Sequence, residues 1–245
     1  MTEAVSAQPQ NVARGCQYTM TPRPNYPLTT DTGDDRQLTD GAYTAWNPIW
    51  LRPSTVGWTN ATPVTIVIDL RSVQAISGVS YSTAAGQASV EWPRSVFVLV
   101  SDDGQHFFPV ADLAGTRRAE AAPPAIGYAA FRYQSDLLDT HGRYVALVVD
   151  QNGPYTFSDE IEVFAGDSVR VGSPLAGAST TDLQDYFVRA HMRVSIQRRL
   201  TIDLQAARAA LAAAPVGVLL AEQLSHELDA IAEGIVTLAA PDPAA

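Results

Sequence analysis

The chain has 245 residues, 46% of them apolar and 17% charged, which is enough apolar material for a packed core and too much for wholesale disorder. Its 16 basic residues are all arginine and face 26 carboxylates, for a formal net charge of -10. That balance disfavours a non-specific nucleic-acid binder and a partner made of acidic lipid headgroups. The lone cysteine, Cys16, excludes an intrachain disulfide and a thiolate metal cage, and it reads as a small buried apolar residue.

Residues 1–10 are polar and read as a disordered N-terminus without the apolar stretch of an export signal. No apolar run approaches the roughly 20 residues that span a bilayer, so no membrane insertion is expected. The chain reads as cytosolic, or as part of a longer secreted protein. Asp31, Asp34 and Asp35 form an early acidic cluster. Its spacing is not that of an EF-hand, and a solvated loop is expected.

From there to residue 166 the chain is rich in Thr, Val, Tyr, Pro and Gly and reads as β. Residues 64–70 (VTIVIDL) and 76–82 are short β-branched runs. Residues 96–100 are apolar throughout and run into Ser101-Asp102-Asp103-Gly104, where the Asp-Gly pair suits a type I′ hairpin turn. Residues 107–113, 128–133, 144–149 and 157–164 complete the set. Short, regularly spaced strands with turn signals between them predict a β-sandwich or barrel. Trp58, just before the 64–70 strand, is expected in the core.

Residues 167–179, dense in Gly, Ser and Pro, read as a linker, and residues 180–240 as a two-helix hairpin. Thr181-Asp182-Leu183-Gln184 has the form of a capping box. Leu183, Phe187, Ala190, Val194, Leu200, Leu204, Ala207 and Leu211 follow at helical spacing until Pro215. The first helix is expected to be about 45 Å long. Leu220, Leu224, Leu228, Ile231, Ile235 and Leu238 mark the second. Such stripes must bury against each other, the sandwich or another subunit, so a protein partner or homo-oligomer is an open possibility. The arginines Arg189, Arg193, Arg198, Arg199 and Arg208 read as a solvated face with i, i+4 pairs.

No catalytic arrangement stands out. His106, His141, His191 and His226 are isolated, His226-Glu227 lacks the second histidine of a zinc helix, and no nucleophile elbow or phosphate-cradling glycine loop occurs. The expectation is a chain that is not an enzyme.

Four segments carry a family resemblance. They are Leu38-Thr39-Asp40-Gly41; residues 64–70, with Arg71 where the family has Gly; residues 93–107 (PRSVFVLVSDDGQHF); and residues 143–164, ending FSDEIEVF. In order and spacing, residues 11–166 resemble the discoidin family, the coagulation factor 5/8 C-terminal (F5/8 type C) domain. That family includes bacterial carbohydrate-binding modules with a galactose-binding-like jelly roll. The resemblance implies a mainly β, discoidin-like jelly-roll sandwich, followed here by the helical hairpin. It implies non-catalytic glycan recognition and an extracellular or cell-surface setting if the chain is part of a longer protein. It also implies a structural Ca2+ between the early loop and the last strand. Asp40 and Glu160 would give carboxylates, Leu38 and Asp159 backbone carbonyls, and Thr44 a further oxygen. The competing reading makes Asp40 a turn residue and pairs Glu160 with an arginine.

Trp46, Trp50, Trp58 and Trp92 are the four tryptophans. A flat aromatic can stack on the apolar C–H face of a sugar while neighbouring polar groups bond its hydroxyls. Trp46-Asn47 and Trp50-Leu51-Arg52 offer this in a proline-bearing loop, with Trp92 and Tyr155 in other loops. The glycan contacts expected on this basis are Trp46, Asn47, Trp50, Arg52, Trp92 and Tyr155. Solvent-facing Trp46 or Trp50 beside Arg52 favours a sugar ligand, and their burial favours an assembly module.

Overall fold

The computed structural model describes residues 10–115, 122–215 and 217–239, with the side chains of 237–239 left out. The expected disordered stretch 1–10, apart from Gln10, and Leu238 of the second helical stripe therefore lie outside the described residues and side chains. The chain divides into two compact units, Met1–Leu183 and Gln184–Ala245.

The first unit is mainly β and antiparallel. Its strands are β1 (Gln17–Thr21), β2 (Val56–Thr59), β3 (Val64–Ala85), β4 (Ser95–Ser101), β5 (Phe108–Asp112), β6 (Ala129–Ser135), β7 (Thr140–Asp150), β8 (Tyr155–Ser158) and β9 (Glu160–Ala165). The organising element is β3. The two runs expected at 64–70 and 76–82 are one 22-residue strand. Its first half lies between β1 and β7 in the order β1-β3-β7-β4-β5, and its second half pairs with β6 and β9. The register slips between Asp69 and Gln74. There Arg71 takes φ +73, the conformation a glycine adopts without strain. Asp69 compensates: its Oδ1 accepts the Arg71 N–H at 2.8 Å, and both its oxygens accept from Arg143 at 2.8 Å.

Along the first half of β3, Val64, Ile66, Ile68 and Leu70 alternate inward. They join Val96, Val98 and Val100 of β4, Val145, Leu147 and Val149 of β7, and Ile161 and Val163 of β9 in one core. β4 is buried along its whole length because strands flank it on both edges and both of its faces are covered. Trp58 is fully buried as expected, its indole N–H donating to the Pro22 carbonyl at 2.9 Å. Cys16 is buried, and burial pushes its thiol pKa up.

Three local expectations are corrected. The Asp103-Gly104 pair does not make a two-residue turn, because β4 ends at Ser101 and β5 begins at Phe108. Asp103 Oδ1 accepts the backbone N–H groups of Gln105 and His106, each at 2.8 Å, and these bonds favour a wider loop. The single strand expected over 157–164 is broken at Asp159 into β8, which pairs with β2, and β9, which pairs with β3. Asp34 is not solvated: it is 6% exposed, and burial, then the charges of Asp31 and Asp35, raise its pKa to about 6.

The linker is fastened back onto the sandwich rather than free. His141 has Nε2 at 2.8 Å from the Ser173 carbonyl and Nδ1 at 3.1 Å from Asp102 Oδ1. Phe107 and Thr180 exchange two backbone hydrogen bonds of 2.8 Å. The second unit is two helices, α1 (Leu183–Ala213) and α2 (Val218–Ala239), tied by an ion pair of Arg208 with Asp229 at 2.5 Å. Helix α1 begins just after Asp182, one residue later than a Thr181 cap requires. The expected i, i+4 pairs are present as Asp185–Arg189 (2.9 Å) and Arg199–Asp203 (3.0 Å). Leu200 and Ala207 of the first expected stripe and Leu220 and Ile231 of the second are exposed instead, as are Val188, Met192 and Ile196.

Gly86 ends β3 at φ +93, and a Cβ there would lie 1.9 Å from the Gly127 carbonyl oxygen. Gly86→Ala combines backbone strain with overpacking and is expected to cost about 2–4 kcal/mol, read from urea unfolding midpoints. A loss below about 0.5 kcal/mol would show that the two loops do not meet as described.

Candidate functional site

The site is built on the segment between Leu38 and Thr55. A 3-10 turn (Gln37–Thr39) buries Leu38 and Thr39 against the core and leads into Asp40-Gly41. Gly41 has φ +82, and a Cβ on it would lie 3.0 Å from Arg14 Nε, so glycine suits both the bend and the space. The bend turns the following N–H groups toward the break between β8 and β9. The Gly41 N–H donates to Glu160 Oε2 at 3.1 Å, and the Thr44 N–H donates to Asp159 Oδ2 at 2.8 Å. The Thr44 hydroxyl then ties the loop across itself to Ser54 and Thr55, at 2.9 Å to the Ser54 carbonyl. Tyr43 adds a further fastening: its hydroxyl donates to Glu162 Oε2 at 2.6 Å, and the Arg132 guanidinium lies 4.2 Å from its ring centroid.

Glu160 and Asp159 are both buried, and one oxygen of each, Glu160 Oε1 and Asp159 Oδ1, has no hydrogen-bond partner among the described residues. Burial, then the charges of Asp40, Glu162 and Asp159, raise the Glu160 pKa to about 8; the Gly41 N–H works in the opposite direction. An orphaned carboxylate oxygen in the interior costs stability unless a proton or a cation reaches it.

The expected calcium ligands are thus brought together, but not in the expected roles. Asp159 offers its carboxylate rather than only its carbonyl. Thr44 reaches Asp159 through an N–H, a donor where a cation needs an oxygen. Asp40 is exposed and caps its own loop, accepting the Ala42 N–H at 2.7 Å. The competing pairing of Glu160 with an arginine does not occur among the described residues, because Arg132 goes to Glu162 at 3.3 Å. The described residues contain no group of three or more His, Cys, Asp or Glu side chains able to hold a metal ion. Any cation at Asp159–Glu160 therefore depends on main-chain oxygens of the turn as well. The two orphaned carboxylate oxygens are donors of the hard type that calcium takes.

Of the aromatics, Trp46 is 60% exposed and Trp50 only 4%. The sequence reading that put both on the surface is corrected for Trp50. A second 3-10 turn (Ile49–Leu51) rotates Ile49 and Trp50 inward and leaves Leu51 out. Trp50 meets Tyr128 edge-on at 5.3 Å and Phe157 at 5.6 Å, in a small core with Ala84, Ala85 and Val90. Arg52, on the far side of that turn, has its guanidinium carbon 4.0 Å from the Trp46 ring centroid. Asn47 is exposed beside them. Trp92 is half-buried, with its indole N–H donating to the Pro124 carbonyl at 3.0 Å and its ring edge-on to Phe131 at 5.9 Å. Tyr155 is half-buried in a T-shaped contact with Tyr26 at 5.7 Å. It also lines a small groove with Glu91, Gln151, Asn152 and Thr156. Gln151 is buried there with its Oε1 unpartnered, a feature with no signal in the sequence.

In a chelated sample Glu160 is expected to favour the fold at acid pH, where its proton is held in both states. That contribution is lost as pH rises from about 4.5 toward 8, because the unfolded chain gives up the proton first. Melting temperatures from pH 5 to 8 should therefore fall for the parent relative to Glu160→Gln. Parallel curves would show that Glu160 is not held protonated.

The sequence matches no protein-family model and no curated protein. Among solved structures, the chain is similar to a fucose binding module of Streptococcus pneumoniae (15% identity, 66% of this chain and 100% of that one, TM-score 0.43). It is similar to the Clostridium perfringens module CpGH89CBM32-6 (16% identity, 64% and 100%, TM-score 0.41). A third is the lectin domain of lectinolysin, solved with Lewis B antigen (13% identity, 64% and 98%, TM-score 0.42). At these scores the likenesses carry nothing about the site, which rests on its own residues.

Proposed function

We propose that this chain is a non-catalytic glycan-binding module whose contact surface is the loop bearing Trp46, Asn47 and Arg52. The observation that carries the reading is the 60% exposed Trp46 ring with the Arg52 guanidinium 4.0 Å from its centroid. A singly exposed apolar side chain is ordinary on a protein surface. Here it stands on a loop held by two bonds to buried carboxylates and by the hydroxyl of Thr44. A flat aromatic so fixed loses little freedom on stacking against a sugar, and Asn47 and Arg52 supply donors for hydroxyls. The groove beside Tyr155 offers Asn152 as a further polar contact. That groove has room for about one water molecule, so it offers an edge contact and does not enclose a sugar.

Calcium enters the proposal as the group that fixes this loop. Asp159 and Glu160, with main-chain oxygens of the turn such as the Leu38 carbonyl, would hold it. Its chemistry there is charge neutralisation, the same task the Glu160 proton performs.

Glycan-array binding of the full chain, with and without chelator, tests both parts. Trp46→Ala is expected to abolish retention at unchanged stability. Trp50→Ala is expected to cost about 3–5 kcal/mol of folding free energy, because it empties a core position. Chelation is expected to weaken binding and lower the melting temperature. A blank array with folded protein would remove the glycan reading. Chelator-insensitive binding and melting would remove the calcium.

A second reading, self-assembly through the helices, is favoured by one observation. Val188, Met192, Ile196 and Leu200 recur every four residues on α1 and are 37–57% exposed. Sedimentation of the full chain is expected to show a dimer that Met192→Asp with Ile196→Asp converts to monomer. A monomeric parent at micromolar concentration would end this reading.

A further inference from the structure

Resting on the glycan reading of the Trp46 loop, we propose that the ligand bears a carboxylate: a hexuronate-containing glycan in preference to a neutral one. The argument begins with the partners of Arg52. Several other arginines of this acidic chain find carboxylates: Arg94 with Asp150 (3.3 Å), Arg132 with Glu162 (3.3 Å), Arg143 with Asp69 (2.8 Å) and Arg208 with Asp229 (2.5 Å). Arg52 has no carboxylate and no side-chain hydrogen bond among the described residues. Its guanidinium carbon instead lies 4.0 Å from the Trp46 ring centroid.

The sequence around it sharpens the point. From residue 41 to residue 68, Arg52 is the only charged side chain, although the chain as a whole carries a net charge of -10. A cation–π contact engages the flat face of a guanidinium and does not use up its N–H donors. Those donors form a planar fork that matches a carboxylate in two parallel bonds, which an isolated hydroxyl cannot do. The platform thus combines an exposed aromatic for the C–H face of a sugar ring with a nearby, unpartnered carboxylate receptor. The acidity of the whole chain does not oppose this at close range, because exposed charges beyond about 8 Å are screened at physiological salt. It does oppose dense polyanions, so a short uronate segment is the better ligand than nucleic acid.

The test is calorimetric titration of the full chain with oligosaccharides of galacturonate and of glucuronate type, with their carboxyl-methylated counterparts, and with a neutral galacto-oligosaccharide. Methylation keeps the ring and removes the charge. At least one acidic oligosaccharide is expected to bind about tenfold or more tightly than its methyl ester. Arg52→Gln should erase that difference while leaving weak binding to both forms, and Trp46→Ala should remove both. Equal affinity for acid and ester, or an Arg52→Gln loss that is the same for both, would overturn the carboxylate assignment and leave the glycan reading standing. Failure of folded protein to bind any sugar of the panel, with a blank glycan array, would overturn the glycan reading and this assignment with it.

Discussion

Two backbone N–H groups bonded to two buried carboxylates hold the loop end of this sandwich together. Gly41 and Thr44 reach Glu160 and Asp159 across more than a hundred residues of sequence. Each bond is charge-assisted when its acceptor is ionised, and such bonds contribute about 1.5–3 kcal/mol. The acids lie where β8 gives way to β9, so the chain break that interrupts the strand also creates the acceptors. Desolvation works against the arrangement, because each acid keeps one buried oxygen without a donor. The order of the loop is thereby coupled to whatever neutralises that oxygen, whether proton or cation.

The same fastening separates the two tryptophans of the loop into opposite roles. With 41–44 fixed and the 49–51 turn folded inward, Trp50 completes a small aromatic core and Trp46 is left outside it. Under the glycan proposal, a ring carried on a loop so held would lose little further conformational freedom on meeting a ligand.

Much of the sandwich was legible in the sequence because its central strands are β-branched runs buried on one or both faces, as in residues 64–70 and 96–100. The short strands β1 (QYTMT) and β2 (VGWT) carry too few β-branched residues to stand out and exist through pairing with β3 and β8. The break at Asp159 was hidden because residues 157–164 alternate as a continuous strand would. The acids of the loop anchor were legible as a set through the family resemblance. Their roles were not, since local pattern does not say whether Thr44 presents its oxygen or its N–H. Trp46 and Trp50 sit four residues apart beside the same proline, and only the 49–51 turn decides which faces water. The burial of Asp34 and the unpartnered Gln151 oxygen are products of tertiary packing, with no local trace.

The length of β3 has a consequence for how the chain reaches this state. One strand pairs with partners that begin at Gln17 and end at Ala165, so no contiguous part of the sandwich contains all of its neighbours. Nearly every contact that satisfies β3 is distant in sequence, which places the first unit among high-contact-order topologies that fold slowly. During synthesis β3 emerges about eighty residues before β9 and must wait with an open, apolar edge. The sandwich closes only when its last strand arrives, and the two acids that tie down the loop stand at its start, Glu160 as its first residue and Asp159 just before it.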